Sequence, residues 1–179
     1  MTEEEKYVEL SRGKRFASNL TAAAGLFLCG AVLLVFGIGG ESWGVSVVSL
    51  IAPVVLLSVG LIFLVSSLIQ VNTVTLYISV LFLVPAFVSF LANLTDITYA
   101  SLWPLYVAAP AVASLFTMLM SGEYRFHIRI ICIFAVPALF FALFASGIWS
   151  VGILIPALLM YAGLLALYTA LSVNGAPEE

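Results

Sequence analysis

The chain has 179 residues with a formal net charge of −3, and 64% of them are hydrophobic against 8% charged. A typical soluble domain is about 25% charged, so this composition, with a mean hydropathy of +1.23, excludes a soluble globular fold and points to a bilayer. Crossing about 30 Å of hydrocarbon takes roughly 20 apolar residues per helix, and six stretches supply them, at about 17–38, 45–69, 73–92, 102–120, 126–146 and 149–173.

Residues 1–16 read as a cytoplasmic N-terminal segment, acidic at Glu3, Glu4, Glu5 and Glu9 and then basic at Arg12, Lys14 and Arg15. A basic region ahead of an apolar run is also how a signal peptide begins. The run from Ala17 to Ile38 is longer than a signal core, however, and Gly37-Ile38-Gly39-Gly40-Glu41 lacks an A-x-A-like cleavage pattern, so the segment reads as a retained first helix. The second run carries Pro53 and Gly60, and the third Pro85. A turn from Asn93 to Tyr99 leads to the fourth run, with Trp103, Pro104 and Ala111. Arg125 and Arg129 flank the start of the fifth, which contains Pro137; the sixth contains Pro156 and Gly163 and ends at a cytoplasmic tail, 174–179. Trp43, Tyr99, Trp103 and Trp149 stand in or beside the turns, where rings with one polar atom prefer the headgroup layer.

Positive residues near helix ends are retained on the cytoplasmic side. All six basic residues fall in two groups, Lys6, Arg12, Lys14 and Arg15 before the first helix, and Arg125 and Arg129 between the fourth and fifth. Six crossings put both groups on one side and leave Glu41 and Asp96 on the other, which predicts an N-in, C-in topology. With loops this short, no soluble domain is left to bind nucleic acid or nucleotide. Arg12, Lys14, Arg15, Arg125 and Arg129 are candidates for a basic collar that contacts anionic lipid or a partner.

Pro53, Pro104 and Pro156 lie 51 and 52 residues apart, and a small residue follows each by seven positions: Gly60, Ala111 and Gly163. Pro85 and Pro137 each precede the next of these prolines by 19 residues. Periodicity of this kind marks a tandem architecture, here an all-α membrane protein of six transmembrane helices in three hairpins. The units are about 17–70, 73–121 and 125–173 within one transmembrane domain, 17–173.

A proline costs little in the first turn of a helix, where its missing N–H had no partner. Pro104 is expected there, and by the repeat so are Pro53 and Pro156, which would leave Val45 to Leu50 and Val151 to Leu154 as short or bent segments. Pro85 and Pro137 fall mid-helix and are expected to kink the third and fifth helices. Small residues predict close helix contacts, within the chain or between subunits. They are Ala109, Ala113 and Thr117 in the fourth helix, Ala162, Ala166 and Ala170 in the sixth, and Ala23, Gly30 and Gly37 in the first.

Charged groups at bilayer depth are costly and usually functional, and none falls near the centre of a predicted span. That removes the usual proton relay, sodium site and voltage sensor. Ser58, Ser66, Ser67, Ser79, Ser89, Ser114, Thr117 and Thr169 can each bond their own helix backbone. His127 is the single histidine, so a multi-histidine metal site is impossible, and no H-E-x-x-H, G-x-S-x-G or phosphate loop occurs. His127 itself reads as a headgroup-layer residue. Cys29 and Cys132 lie inside predicted helices as small apolar filling. The chain is expected to be no enzyme and to hold no cofactor or metal.

Ser101-Leu102-Trp103-Pro104-Leu105 with Ala111, and its echoes Leu154-Ile155-Pro156 through Gly163 and Ala52-Pro53 through Gly60, resemble the W-P-L-L-L-I-L-L-G pattern of the LiaI-LiaF-like transmembrane region family. The resemblance covers roughly residues 25–173. It implies paired-helix units in a prokaryotic plasma membrane and a part in cell-envelope stress signalling, by restraining a membrane histidine kinase or anchoring a phage-shock-type protein. The chain is also similar, more weakly, to the triplicated hairpins of HdeD-like acid-resistance membrane proteins. Neither family has catalytic residues to carry over.

The leading expectation is a non-enzymatic multi-pass membrane protein acting through helix-helix contacts with a membrane partner or a second copy. One alternative is a small transporter or channel subunit, which needs a water-filled cavity at mid-membrane lined by Ser66, Ser79, Ser89 or Ser114. The other is a lipid-binding protein, which needs a lateral opening near Trp103 or His127.

Overall fold

In the computed structural model the described residues, 3–39, 47–95 and 97–174, form six helices. They are α1 (Glu3–Gly39), α2 (Val47–Gln70), α3 (Thr73–Leu94), α4 (Tyr99–Ser121), α5 (Tyr124–Ala145) and α6 (Val151–Asn174). Five have stretches long and apolar enough to cross a membrane, Val48–Gln70, Thr73–Leu94, Tyr99–Ser121, Tyr124–Ala145 and Val151–Thr169, as a multi-pass membrane protein requires. The apolar stretch of α1, Asn19–Val35, is shorter, and α1 runs on without a break through the expected N-terminal segment. Glu41, Trp43, Asp96 and residues 175–179 lie outside the described residues, as do the side chains of Lys6, Arg12, Arg15 and Ala170.

Two residues, Val71 and Asn72, join α2 to α3. Asn72 Oδ1 accepts from the Val74 and Thr75 N–H groups at 3.0 and 3.3 Å, filling two donors that a helix start leaves orphaned. The Asn72 N–H donates back to the Ser67 carbonyl at 3.1 Å, the bond that closes a helix through a left-handed residue. Here that residue is Val71, at φ 53°, where an L side chain costs about 1–2 kcal/mol. At the end of α4 the same job falls to Gly122, at φ 72°, which has no Cβ to strain.

Among the described residues, substantial packing joins only helices adjacent in sequence, so the six stand in a row with α1 and α6 at its ends. The α5–α6 seam is by far the lightest. The α2–α3 seam is so close that a Cβ on Gly60 would fall 2.7 Å from Leu83 Cδ2 and 3.2 Å from the Leu83 backbone nitrogen. That approach lets the Ser79 hydroxyl of α3 donate to the Gly60 carbonyl of α2 at 3.0 Å. Across the α3–α4 seam, Leu76, Val80 and Ala113 form the buried cluster, with Tyr77, Val84, Val112 and Met120 packed against it. Ala109, Ala113 and Thr117 are all buried, so the small stripe of α4 is used within the chain. The stripes of α1 and α6 are not: Ala23, Gly30, Gly37, Ala162 and Ala166 are exposed, and a Cβ on Gly30, Gly37 or Gly163 would meet open space.

Pro53, Pro104 and Pro156 do not occupy first turns, contrary to expectation. Each lies in the second turn of its helix, because α2, α4 and α6 begin at Val47, Tyr99 and Val151. The segment from Val151 to Leu154, and the described part of Val45 to Leu50, are those helices' own first turns. Burial is the reason: Leu50 and Leu154 are 1% and 8% exposed, and a helical turn ahead of each proline brings them onto the packed face. A proline in the second turn removes the N–H that would reach the carbonyl four residues back. For Pro53 that carbonyl is Ser49, and the Asn93 side-chain amide of α3 donates to it at 3.1 Å. Asn93 shares its two hydrogens with two further acceptors, the Ser89 carbonyl and the Tyr99 hydroxyl, both at 2.8 Å. One amide thus ties α2, α3 and the start of α4. Pro85 and Pro137 lie inside α3 and α5 as expected, and Pro110, which has no place in the repeat, lies inside α4.

Val71→Gly is expected to raise the midpoint of thermal unfolding in detergent by relieving about 1 kcal/mol of backbone strain. Gly60→Val is expected to cost about 1–3 kcal/mol by overpacking the α2–α3 seam. Gly163→Val, at an open position, should change stability by less than about 0.5 kcal/mol. Equal losses from the two glycine substitutions, read in the same unfolding assay, would contradict the distinction.

Candidate functional site

α5 stands between α4 and the loosely attached α6, and cavities lie along two of its sides. Between α4 and α5 is an apolar groove of about 360 Å³, whose walls include Pro104, Ala111, Val112, Ile131, Ala135 and Ala138. Between α5 and α6 is a second groove of about 360 Å³, whose walls include Ile128, Arg129, Cys132, Val136, Leu165 and Tyr168. Helical periodicity explains the pair: Ile131, Ala135 and Ala138 share one face of α5, while Ile128, Cys132 and Val136 share another.

Aromatic rings set how wide these grooves open. Trp103 of α4 tilts against Phe141 of α5 with ring centroids 4.8 Å apart. Phe140 meets Trp149 of the α5–α6 turn at 5.2 Å and Tyr161 of α6 at 6.1 Å. The Tyr161 hydroxyl donates to the Cys132 carbonyl. These contacts tie α6 to α5 from their turn as far as Cys132, and Leu154 is the one buried hydrophobic residue described on α6. Toward Arg129, beyond these ring contacts, the groove opens.

A third cavity, about 300 Å³, lies where the start of α3, the end of α4 and the start of α5 meet. Its wall is more polar, with Thr73, Tyr77, Ser121, Glu123 and His127 contributing. His127 lies near the start of α5. It is 5% exposed, because it lies on the α5 face that carries Ile131 and Ala138 toward α4. Its Nδ1 is buried with no hydrogen-bond partner among the described residues, as is Ser114 Oγ.

The structure separates the candidate basic residues. Arg125 and Arg129 lie one turn apart on α5, both exposed, whereas Lys14 is exposed on α1 at the far end of the row. Arg12 and Arg15 have backbone positions in α1 and undescribed side chains. The repeat marks are also unequal. Pro53, Pro104, Gly60 and Ala111 are buried, Pro85 and Pro137 are half-buried, and Pro156 and Gly163 are exposed.

Three of the buried serines have hydrogen-bond partners within or across the helices. Ser79 donates to the Gly60 carbonyl, Ser67 to the Leu64 carbonyl at 2.7 Å, and the Ser89 and Tyr106 hydroxyls are hydrogen-bonded at 2.9 Å. Cys29 and Cys132 are free thiols, half-buried and exposed respectively. Among the described residues no cluster of His, Cys, Asp and Glu could hold a metal ion. Asn93 and Tyr161, whose side chains bridge helices, escaped the sequence reading; the signal available was a strong hydrogen-bonding group next to or inside an apolar run. No family model matches the chain, and no curated protein or solved structure matches it either.

Replacing His127 with leucine removes an unpaired buried nitrogen at similar volume, and leaving such a group unpaired costs about 1–3 kcal/mol. His127→Leu is therefore expected to raise the thermal midpoint in detergent. A fall instead would mean that the nitrogen has a bound partner in the native protein.

Proposed function

We propose that the chain is a non-enzymatic, multi-pass protein of a prokaryotic plasma membrane that acts through helix-helix contacts made by its end helices. All six helices cross the bilayer as three hairpins in this reading, with both termini and every Lys and Arg on the cytoplasmic side. The observation that carries the reading is the unused small face of α6. Ala162, Gly163 and Ala166 are exposed beside Leu159 and Leu167, at 68% and 57% exposure. Among lipid tails, helices associate by close backbone approach at small residues, so this face is shaped for another transmembrane helix. Bonding of Ser67, Ser79 and Ser89 to helix backbone or to Tyr106 favours this reading over a polar transport path.

The likeness of Ser101-Leu102-Trp103-Pro104-Leu105 to the LiaI-LiaF-like pattern supports cell-envelope stress response as the setting. The partner in that setting is a sensor kinase or a phage-shock-type protein; a second copy of this chain would use the same face. Purification from native membranes in mild detergent, with mass spectrometry of the co-purifying proteins, tests the reading against an Ala162→Leu, Ala166→Leu double variant. The expected outcome is a partner, or a homo-oligomer, retained by the wild type and depleted about tenfold or more in the variant, since that ratio needs only about 1.4 kcal/mol of lost packing. Identical co-purifying proteins and identical oligomeric state for both forms would sink it.

A further inference from the structure

We propose that the groove between α5 and α6 binds one anionic phospholipid, with an acyl chain along Cys132, Val136 and Leu165 and the phosphate at Arg129. The inference stands apart from the helix-contact reading, which uses a different face of α6. The groove is amphiphile-shaped along its length. Arg129, near the start of α5, and Tyr168, near the end of α6, fall at the same end because the two helices run antiparallel through a short turn. Beyond them the walls are apolar, and the Tyr161 hydroxyl is already bonded to the Cys132 carbonyl.

Water fills such a space poorly, since a buried water needs about two to four polar partners. A partner helix is roughly 10–12 Å across with its side chains, too wide for a cavity of about 360 Å³ between two adjoining helices. A hydrocarbon chain fits both limits. From Arg129 to Val136 the groove runs about 10 Å at 1.5 Å per residue, enough to take a length of acyl chain below its headgroup. Charge selects the headgroup: among the described residues neither Arg125 nor Arg129, one turn apart, has an ion-pair partner, and guanidinium pairs with phosphate through two parallel N–H bonds.

The test is native mass spectrometry of the full chain released from nanodiscs of equal parts palmitoyl-oleoyl phosphatidylcholine and palmitoyl-oleoyl phosphatidylglycerol. The wild type is expected to retain phosphatidylglycerol over phosphatidylcholine. Arg129→Gln should lower that retention about fivefold, the share of one interfacial cation, and Arg129→Lys should restore most of it. Leu165→Trp, which fills the groove, should lose both lipids, while Lys14→Gln should change nothing. Equal retention of the two lipids by the wild type overturns the proposal. So does a loss with Lys14→Gln as large as with Arg129→Gln, which would mean diffuse attraction to the surface. Should Leu165→Trp prove unfolded by circular dichroism, the Gln and Lys variants decide alone. A second protein chain displaced by Leu165→Trp in place of lipid would also overturn it.

Discussion

Lipid tails are as apolar as leucine, so helices of this composition gain almost nothing by hiding their surfaces from them, and close backbone approach must hold the helices together. The Gly60–Ser79 contact meets that constraint most fully. The missing Cβ lets α3 come within reach of the α2 backbone, and the hydroxyl then bonds a carbonyl that lipid could not have served. On the other side of α3, Ala113 does for α4 what Gly60 does for α2, lying wholly buried against Leu76 and Val80. The middle of the row is built from these two seams.

Where small residues have no neighbour to approach, packing fades. α6 carries the same kind of spacing as α4, yet it is joined to the row through the Phe140, Trp149 and Tyr161 rings and the Tyr161 hydroxyl bond. The consequence is a helix with two free sides, one small and one lining a groove with an arginine at its mouth. Both proposals about function arise from that loose attachment: one places a protein helix on the small side, the other a lipid in the groove.

Much of the architecture could be read before any coordinates. The second to sixth apolar runs coincide with α2 to α6, the turn from Ser146 to Ser150 falls where polar and small residues cluster, and Pro85 and Pro137 lie mid-helix, whereas α1 begins at Glu3, well before its apolar run. The first-turn assignment of Pro53, Pro104 and Pro156 failed because a proline's local preference yielded to burial of Leu50 and Leu154 one turn earlier. Pro53 is accommodated by Asn93, 40 residues away in the chain, and no periodicity could have announced that partner. Val71 in a left-handed conformation was equally illegible, since β-branched residues are the last to be assigned there.

By itself the sequence determined the apolar, helical character of the chain, the number of helices, the approximate ends of α2 to α6, and the clustering of positive charge near the α4–α5 turn, because these depend on composition and local order along the chain. Tertiary structure alone decided which of the periodic marks are at work. Gly60 and Ala111 are buried and Gly163 is open, although all three follow a proline by seven residues. Periodicity assigns the same residue type to equivalent positions, but burial depends on what stands beside each helix. The middle helices have packed neighbours on both sides, and α6, at the end of the row, has one that barely touches it.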